Sequence, residues 1–78
     1  MSRHVDALIE FVNRDLLEGR GRAVDGETPL FEDGLIDSLN ILRLIAFVET
    51  RRGRDVPDRE IVMSRFRNLK TIAESFLE

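Results

Sequence analysis

The feature that most constrains the fold is an apolar repeat with the spacing of one helical face, which occurs in three separate segments. The residues of the repeat are Val5, Leu8, Ile9, Val12 and Leu16 in the first segment, Ile41, Leu44, Ile45 and Val48 in the second, and Leu69, Ile72, Ala73 and Phe76 in the last. Each repeat predicts an amphipathic helix that buries one face against the others. We therefore predict an all-α fold, a small four-helix bundle with three longer helices and one short third helix.

Capping and breaking residues place the ends of these helices. The predicted boundaries are Ser2 as the first N-cap, an end near Glu18 before Gly19 and Gly21, a second helix from Ser38 to about Arg52 with Gly53 at its boundary, a short helix from Asp58 to about Met63, and Asn68 as the last N-cap.

Residues 19–37 form a long loop between the first and second helices. Loops of this length are uncommon in small domains unless they have a function. Its apolar residues are Leu30, Phe31, Leu35 and Ile36. They predict that the loop is held against the core.

Length and composition exclude several classes of protein. A chain of 78 residues forms one small domain, residues 1–78. Cysteine is absent, which excludes disulfides, cysteine-ligated metals and a cysteine nucleophile. The single histidine, His4, argues against a histidine-based triad or a multi-histidine metal site, so we expect no catalytic residues and no metal. No apolar run matches a membrane span or a signal peptide, so we expect a cytoplasmic protein without membrane binding.

The charges are distributed unevenly along the chain. Residues 1–37 hold four basic and nine acidic side chains, whereas residues 38–78 hold eight basic and six acidic ones. The arginines of the second part could form a patch for an anionic partner, as in a small nucleic-acid-binding bundle. Acidic residues lie between them, and Arg51 and Arg52 suit a helix C-terminus, so we predict no nucleic-acid binding.

The second helix carries more apolar residues than one buried face needs. Leu39, Leu42 and Ala46 form a second apolar stripe, rotated away from the first. Such a helix either lies at the centre of a bundle or offers its second stripe to another molecule.

Ser38 lies where the long loop meets this helix. Backbone N–H groups in the first turn of a helix lack intrahelical partners, and the helix dipole is positive there. A phosphate ester on the Ser38 hydroxyl would therefore be favourably placed. Serine and aspartate also cap helices routinely, so Asp37 or Ser38 could have only that role.

The sequence around Ser38 resembles the acyl and peptidyl carrier protein family. The resemblance rests on Asp33-Gly34-Leu35-Ile36-Asp37-Ser38-Leu39 before an aliphatic helix, and it extends to Thr28-Pro29-Leu30-Phe31, Val56-Pro57 and the segment from Phe66 to Ile72. The triplet Asp37-Ser38-Leu39 is uninformative alone. It becomes specific through its position and its flanks in a chain of this length.

The resemblance implies a stand-alone, monomeric carrier that is not itself an enzyme. Ser38 would bear 4'-phosphopantetheine, attached from coenzyme A by a phosphopantetheinyl transferase, and Asp37 would be the adjacent acidic residue of the motif. The arm would hold a carboxylic acid as a thioester. The residues implied in docking onto partner enzymes are Leu39, Leu42, Arg43 and Ala46. Those partners would be an adenylating ligase or acyltransferase that loads the arm, and downstream condensing or tailoring enzymes.

Asn40 and Arg43 stand where many fatty-acid-type carriers have acidic residues. The resemblance therefore favours carriers of specialised metabolism, of the nonribosomal peptide or polyketide type found in antibiotic biosynthesis. A fatty-acid or D-alanyl carrier is the alternative for the cargo. The alternative function is a helical protein-interaction module without a prosthetic group, in which Ser38 only caps the helix and the second stripe binds a partner.

Overall fold

The computed structural model describes residues 3–18, 23–32 and 35–78. Within these ranges the chain forms four helices and no strand, which confirms the predicted all-α fold. The predicted N-cap Ser2, the breakers Gly19 and Gly21, and Asp33 and Gly34 of the motif lie outside the described residues.

The helices follow the predicted order of three longer elements and one short one. Their bounds are α1 Arg3–Phe11, continued by a π-helical turn Val12–Leu16; α2 Ser38–Arg52; α3 Met63–Phe66; and α4 Leu69–Ile72, continued by a π-helical turn Ala73–Leu77. A 3₁₀ turn, Asp58–Glu60, precedes α3.

The apolar repeats form a single core, as the sequence predicts. The buried residues are Val5, Leu8, Val12, Leu16, Val24, Leu30, Ile36, Leu44, Ile45, Val48, Val56, Phe66, Leu69, Ile72, Ala73 and Phe76. Ile9 and Ile41, also predicted to lie inside, are half-buried at its margin. No helix formed by the described residues is both long enough and apolar enough to cross a membrane.

Both ends of α2 are fixed by the residues expected from the sequence. Asp37 has an extended backbone, and its side chain accepts a hydrogen bond from the N–H of Asn40 at 2.8 Å. At the other end Gly53 has φ of 78°, a left-handed conformation that glycine adopts without a steric penalty. Its N–H donates to the carbonyl of Glu49 at 2.9 Å. The start and the end of α2 are therefore both confirmed.

The first described part of the long connection is tied to α1 and α4. The Asn13 side chain binds both backbone groups of Val24: its Nδ2 donates to the carbonyl at 3.1 Å, and its Oδ1 accepts from the N–H at 2.8 Å. Two residues on, the buried Gly26 accepts a hydrogen bond from the N–H of Lys70 at 2.9 Å. A Cβ at Gly26 would lie 3.1 Å from Cγ1 of Val5, so this close approach favours glycine.

The part of the connection nearer α2 is held by burial and by the backbone. Leu30 and Ile36 are 0% and 3% exposed, and Phe31 and Leu35 pack against the same core. The N–H of Leu30 donates to the carbonyl of Arg67 at 2.9 Å, and the N–H of Ile36 donates to the carbonyl of Leu30 at 3.0 Å. The prediction that this loop is held against the core is confirmed.

The short third helix lies later in the chain than predicted. Asp58 begins the isolated 3₁₀ turn, and α3 begins at Met63, where the sequence analysis ended it. The backbone of Val62 is extended, and Ile61 packs against the core. Packing of Ile61 against the core, together with the lower helix propensity of two adjacent β-branched residues, interrupts the helix here.

The last helix is capped as predicted. Asn68 is extended, and its side chain accepts a hydrogen bond from the N–H of Thr71 at 2.8 Å. Phe66 and Phe76 pack their rings with centroids 5.2 Å apart, which joins α3 to the end of α4. The carboxylate of Glu49 accepts the N–H of Val56 at 2.9 Å and so holds the segment after α2.

The paired hydrogen bonds of Asn13 give the first testable prediction. Asn13→Ala would leave both backbone groups of Val24 without their protein partner, and we expect a loss of about 1 kcal/mol of unfolding free energy. For a domain of this size that lowers Tm by roughly 4–8 °C in a thermal melt.

The control is Arg14→Ala on the same helical turn. Arg14 pairs with Glu10 at 3.0 Å, but the two side chains are 69% and 68% exposed, so the pair contributes little. Equal melting temperatures for the two variants would show that the Asn13 side chain does not hold the connection.

Candidate functional site

One side of α2 is solvent-exposed along its length, and we call it the α2 face. Its residues are Leu39, Leu42, Arg43, Ala46 and Thr50, which follow the spacing of neighbours on a helix. Leu39 and Leu42 are 69% and 63% exposed. The second apolar stripe is therefore not part of the core but is exposed to solvent, so of the two alternatives left by the sequence, a position of α2 at the centre of the bundle is wrong.

Ser38 is the first residue of α2 and is exposed. Asp37 provides the cap, and within the described part of the chain the Ser38 hydroxyl has no hydrogen-bond partner. The capping role of Asp37 is therefore confirmed. The sequence-based assignment of Ser38 as a site of covalent attachment stays a prediction.

A shallow groove runs beside the α2 face towards α1. Phe11 and Phe47 stack with centroids 4.2 Å apart and an interplanar angle of 13°. The groove has a volume of about 330 Å³ and is lined by Phe11, Arg43, Ala46, Phe47 and Thr50. Arg43 is thus a basic residue at the edge of a groove that is lined by the stacked rings of Phe11 and Phe47.

A second exposed apolar pair was missed by sequence reasoning. Val62 and Met63, at the start of α3, are 42% and 62% exposed. The run Ile61-Val62-Met63 carries the signal, since only its first member packs against the core.

A cleft on another part of the surface, which we call the mixed-charge cleft, is lined by residues of both charges. Its volume is about 410 Å³, and it is lined by Val5, Asp25, Gly26, Glu27, Lys70, Glu74 and Glu78. Hydrogen bonds from the backbone N–H of Glu27 and the hydroxyl of Thr28 lower the pKa of Asp25 below its ordinary value. The described acidic side chains nevertheless form no cluster of three that could hold a metal ion.

Several arginines of the second half of the chain make contacts within the protein. Arg65 pairs with Glu60 at 3.3 Å, and Arg52 lies 5.4 Å from the ring centroid of Phe76. The Nε of Arg51 donates to Nδ1 of His4 at 3.0 Å, which links the end of α2 to the start of α1. The sequence did not predict this contact between His4 and Arg51.

The exposed Ser38 hydroxyl generates a prediction. Ser38→Ala removes no hydrogen bond that the described residues make, so we expect its Tm to match the wild type within the small range usual for surface substitutions. Intact mass spectrometry of the protein purified from its source checks for a covalent group. A wild type heavier than its sequence mass, beside an unmodified Ser38→Ala, would support attachment at Ser38; a wild type at its sequence mass would contradict it.

Comparison with known proteins finds a similar chain among the solved structures. No protein-family model and no curated protein matches this chain. A chain of a solved structure described as "Crystal structure of FAD-dependent dehydrogenase" aligns with a TM-score of 0.77 and 40% sequence identity. The alignment covers 87% of this chain and 96% of that chain.

The described residues do not fit FAD. Dinucleotides commonly bind at a strand–turn–helix unit whose backbone N–H groups face the pyrophosphate, and the described residues form no strand. The mixed-charge cleft is lined by Asp25, Glu27 and Glu74 around the single cation of Lys70. Carboxylates in that position repel a pyrophosphate. No step of flavin chemistry is therefore assigned to these residues.

The structural comparison overturns the carrier-protein assignment made from the sequence. The matched protein is described as an FAD-dependent dehydrogenase and not as a carrier protein. The corrected points are the family, the function of holding a thioester, the cofactor 4'-phosphopantetheine and the link to antibiotic biosynthesis. The physical reason is that the residues behind the resemblance also build the fold: Asp37 caps α2, Ile36 is buried and Asn68 caps α4.

The extent of the alignment indicates the size of the related protein chain. About 68 residues of this chain are aligned and make up 96% of the other chain, which therefore has about 70 residues. The similarity thus extends over nearly all of both chains. Our chain belongs to the same family as this small helical chain of the FAD-dependent dehydrogenase structure.

Proposed function

We propose that this chain is a helical protein-interaction module that binds the flavin-carrying polypeptide of an FAD-dependent dehydrogenase through its α2 face. The observation that carries the proposal is the exposure of Leu39 and Leu42 one helical turn apart. This function matches the interaction module that the sequence left as an alternative, and it assigns the partner by the family relationship.

The make-up of the described core supports placing the flavin on the partner. A chain of 78 residues builds one small core, and the related chain is about as short. The described part of the core is apolar throughout, with no buried polar or charged side chain to orient a cofactor. Binding by the α2 face, with the chemistry on the partner, agrees with both facts.

The two leucines can supply a useful part of the binding free energy. Burying a leucine that was exposed contributes about 2 kcal/mol, and each 1.4 kcal/mol changes an equilibrium constant tenfold. The Phe11–Phe47 groove adjoins this surface and adds aromatic area.

We propose that the chain acts by binding and not by catalysis, and that its partner is one of the predicted tailoring enzymes. The cytoplasmic location expected from the sequence also belongs to the proposal, and cell fractionation would check it.

The α2 face gives a direct binding experiment. Leu42→Asp places a charge where we propose an apolar contact, so we expect its Kd for the flavin-carrying polypeptide to rise about 30-fold or more. The measurement is isothermal titration calorimetry with the purified holo polypeptide. Because Leu42 is 63% exposed, we expect its Tm to stay close to that of the wild type.

The matched control is Ala23→Asp, which adds the same charge to an exposed apolar side chain in the connection before α2. We expect this variant to bind as the wild type does. A wild type that does not bind the dehydrogenase, or equal affinities for the two variants, would refute docking through the α2 face. A large fall in the Tm of Leu42→Asp would instead place Leu42 in the core.

The poor fit of FAD to the described residues gives a second experiment. Added to the isolated chain, FAD should show no change in fluorescence anisotropy, because the carboxylates of the mixed-charge cleft repel its pyrophosphate and the described residues form no strand–turn–helix unit to bind it. The holo dehydrogenase polypeptide serves as the positive control. An isolated chain that retains FAD stoichiometrically after desalting would contradict the proposal that the flavin belongs to the partner.

A further inference from the structure

We infer that the dehydrogenase surface that receives the α2 face is acidic and places a carboxylate against Arg43. This inference rests on the proposed function and specifies the chemistry of the partner. Its basis is that Arg43 is the one ionisable residue among the five of the α2 face. Docking of that face must therefore accommodate one guanidinium group.

Arg43 is exposed and makes no ion pair or hydrogen bond to a side chain of the described residues. The acidic residues nearest in sequence are already engaged: Asp37 accepts the N–H of Asn40 at 2.8 Å, and Glu49 accepts the N–H of Val56 at 2.9 Å. The described residues thus give Arg43 no carboxylate partner. A partner that removes water from it must supply one, since a buried and unpaired charge is strongly unfavourable.

The position of Arg43 brings its side chain into the proposed interface. It follows Leu39 by four residues and precedes Ala46 by three, so it is a neighbour of both on the helix surface. It also lines the groove beside Phe47. A partner that covers the two leucines and the groove therefore also covers Arg43.

The same charge argues against a second copy of this chain as the occupant. A two-fold dimer through the α2 face would bring both copies of Arg43 into one small interface. Like charges at that distance oppose association. An acidic surface on a different protein fits the face better.

The effect of Arg43 must be separated from that of net charge. The chain has a formal net charge of −3, so an acidic partner is repelled at long range while Arg43 attracts it locally. Arg43→Glu and Arg54→Glu change the net charge equally. Arg54 is exposed just after α2 and lies outside the α2 face, which makes it the matched control.

The experiment measures Kd for the holo dehydrogenase polypeptide by titration calorimetry at fixed ionic strength. We expect Arg43→Gln to weaken binding about tenfold and Arg43→Glu at least about 30-fold, because the partner carboxylate is left unpaired or opposed. Arg43→Lys should retain part of the affinity, because it keeps the charge but loses the planar fork. Arg54→Glu should change Kd less than about threefold.

The outcomes separate the two proposals. Absence of wild-type binding would refute the proposed function itself. Binding that is weakened by Leu42→Asp, but equally affected by Arg43→Glu and Arg54→Glu, would keep the proposed function and overturn the acidic partner surface. A concentration-dependent dimer in sedimentation that Leu42→Asp abolishes would show that a second copy occupies the face, and this would also overturn the inference.

Discussion

The position of α2 depends on how the connection before it is held. Leu30 and Ile36 are buried in the core, and the N–H of Ile36 donates to the carbonyl of Leu30. This places Asp37, the next residue, where its side chain can cap the first turn. Because the cap fixes where the helix begins, it also fixes which residues face inward. Without this anchoring, the first residue of α2 would not be fixed, and neither would the set of residues that face the core.

Because its start is fixed, α2 has apolar residues on two faces, one buried in the core and one exposed to solvent. Leu44, Ile45 and Val48 lie in the core, whereas Leu39 and Leu42 remain exposed. Only one face of α2 packs in the core, where it contacts the π-helical turns that follow α1 and α4. Exposed leucines in adjacent turns weaken solubility unless another surface covers them. Their exposure beside Arg43, which has no carboxylate partner among the described residues, is the physical argument for an interaction surface.

Much of the fold could be predicted from the sequence because its signals are local. The caps Asp37 and Asn68 and the left-handed Gly53 each act within one turn, and the apolar repeats identify most of the core. The two hydrogen bonds between Asn13 and Val24 span eleven positions, so no local pattern reveals them. The third helix was misplaced because Asp58 looks like a cap, whereas tertiary packing of Ile61 interrupts the helix.

The candidate site could be predicted only in part. The exposed stripe of α2 was predicted, whereas the carrier-protein assignment was wrong. The second stripe of α2 follows from periodicity, and its exposure confirms that reading. The identity of the partner does not follow, because Asp37 and Ile36 satisfy the needs of the fold as well as those of a motif. The α2 face specifies the spacing of the groups that a partner must present to it. Leu39 and Arg43 are separated by one helical turn, with Cβ atoms about 6 Å apart. A surface that binds both must place an apolar hollow and a carboxylate at that same separation, and this requirement selects among partners more strongly than apolar area alone.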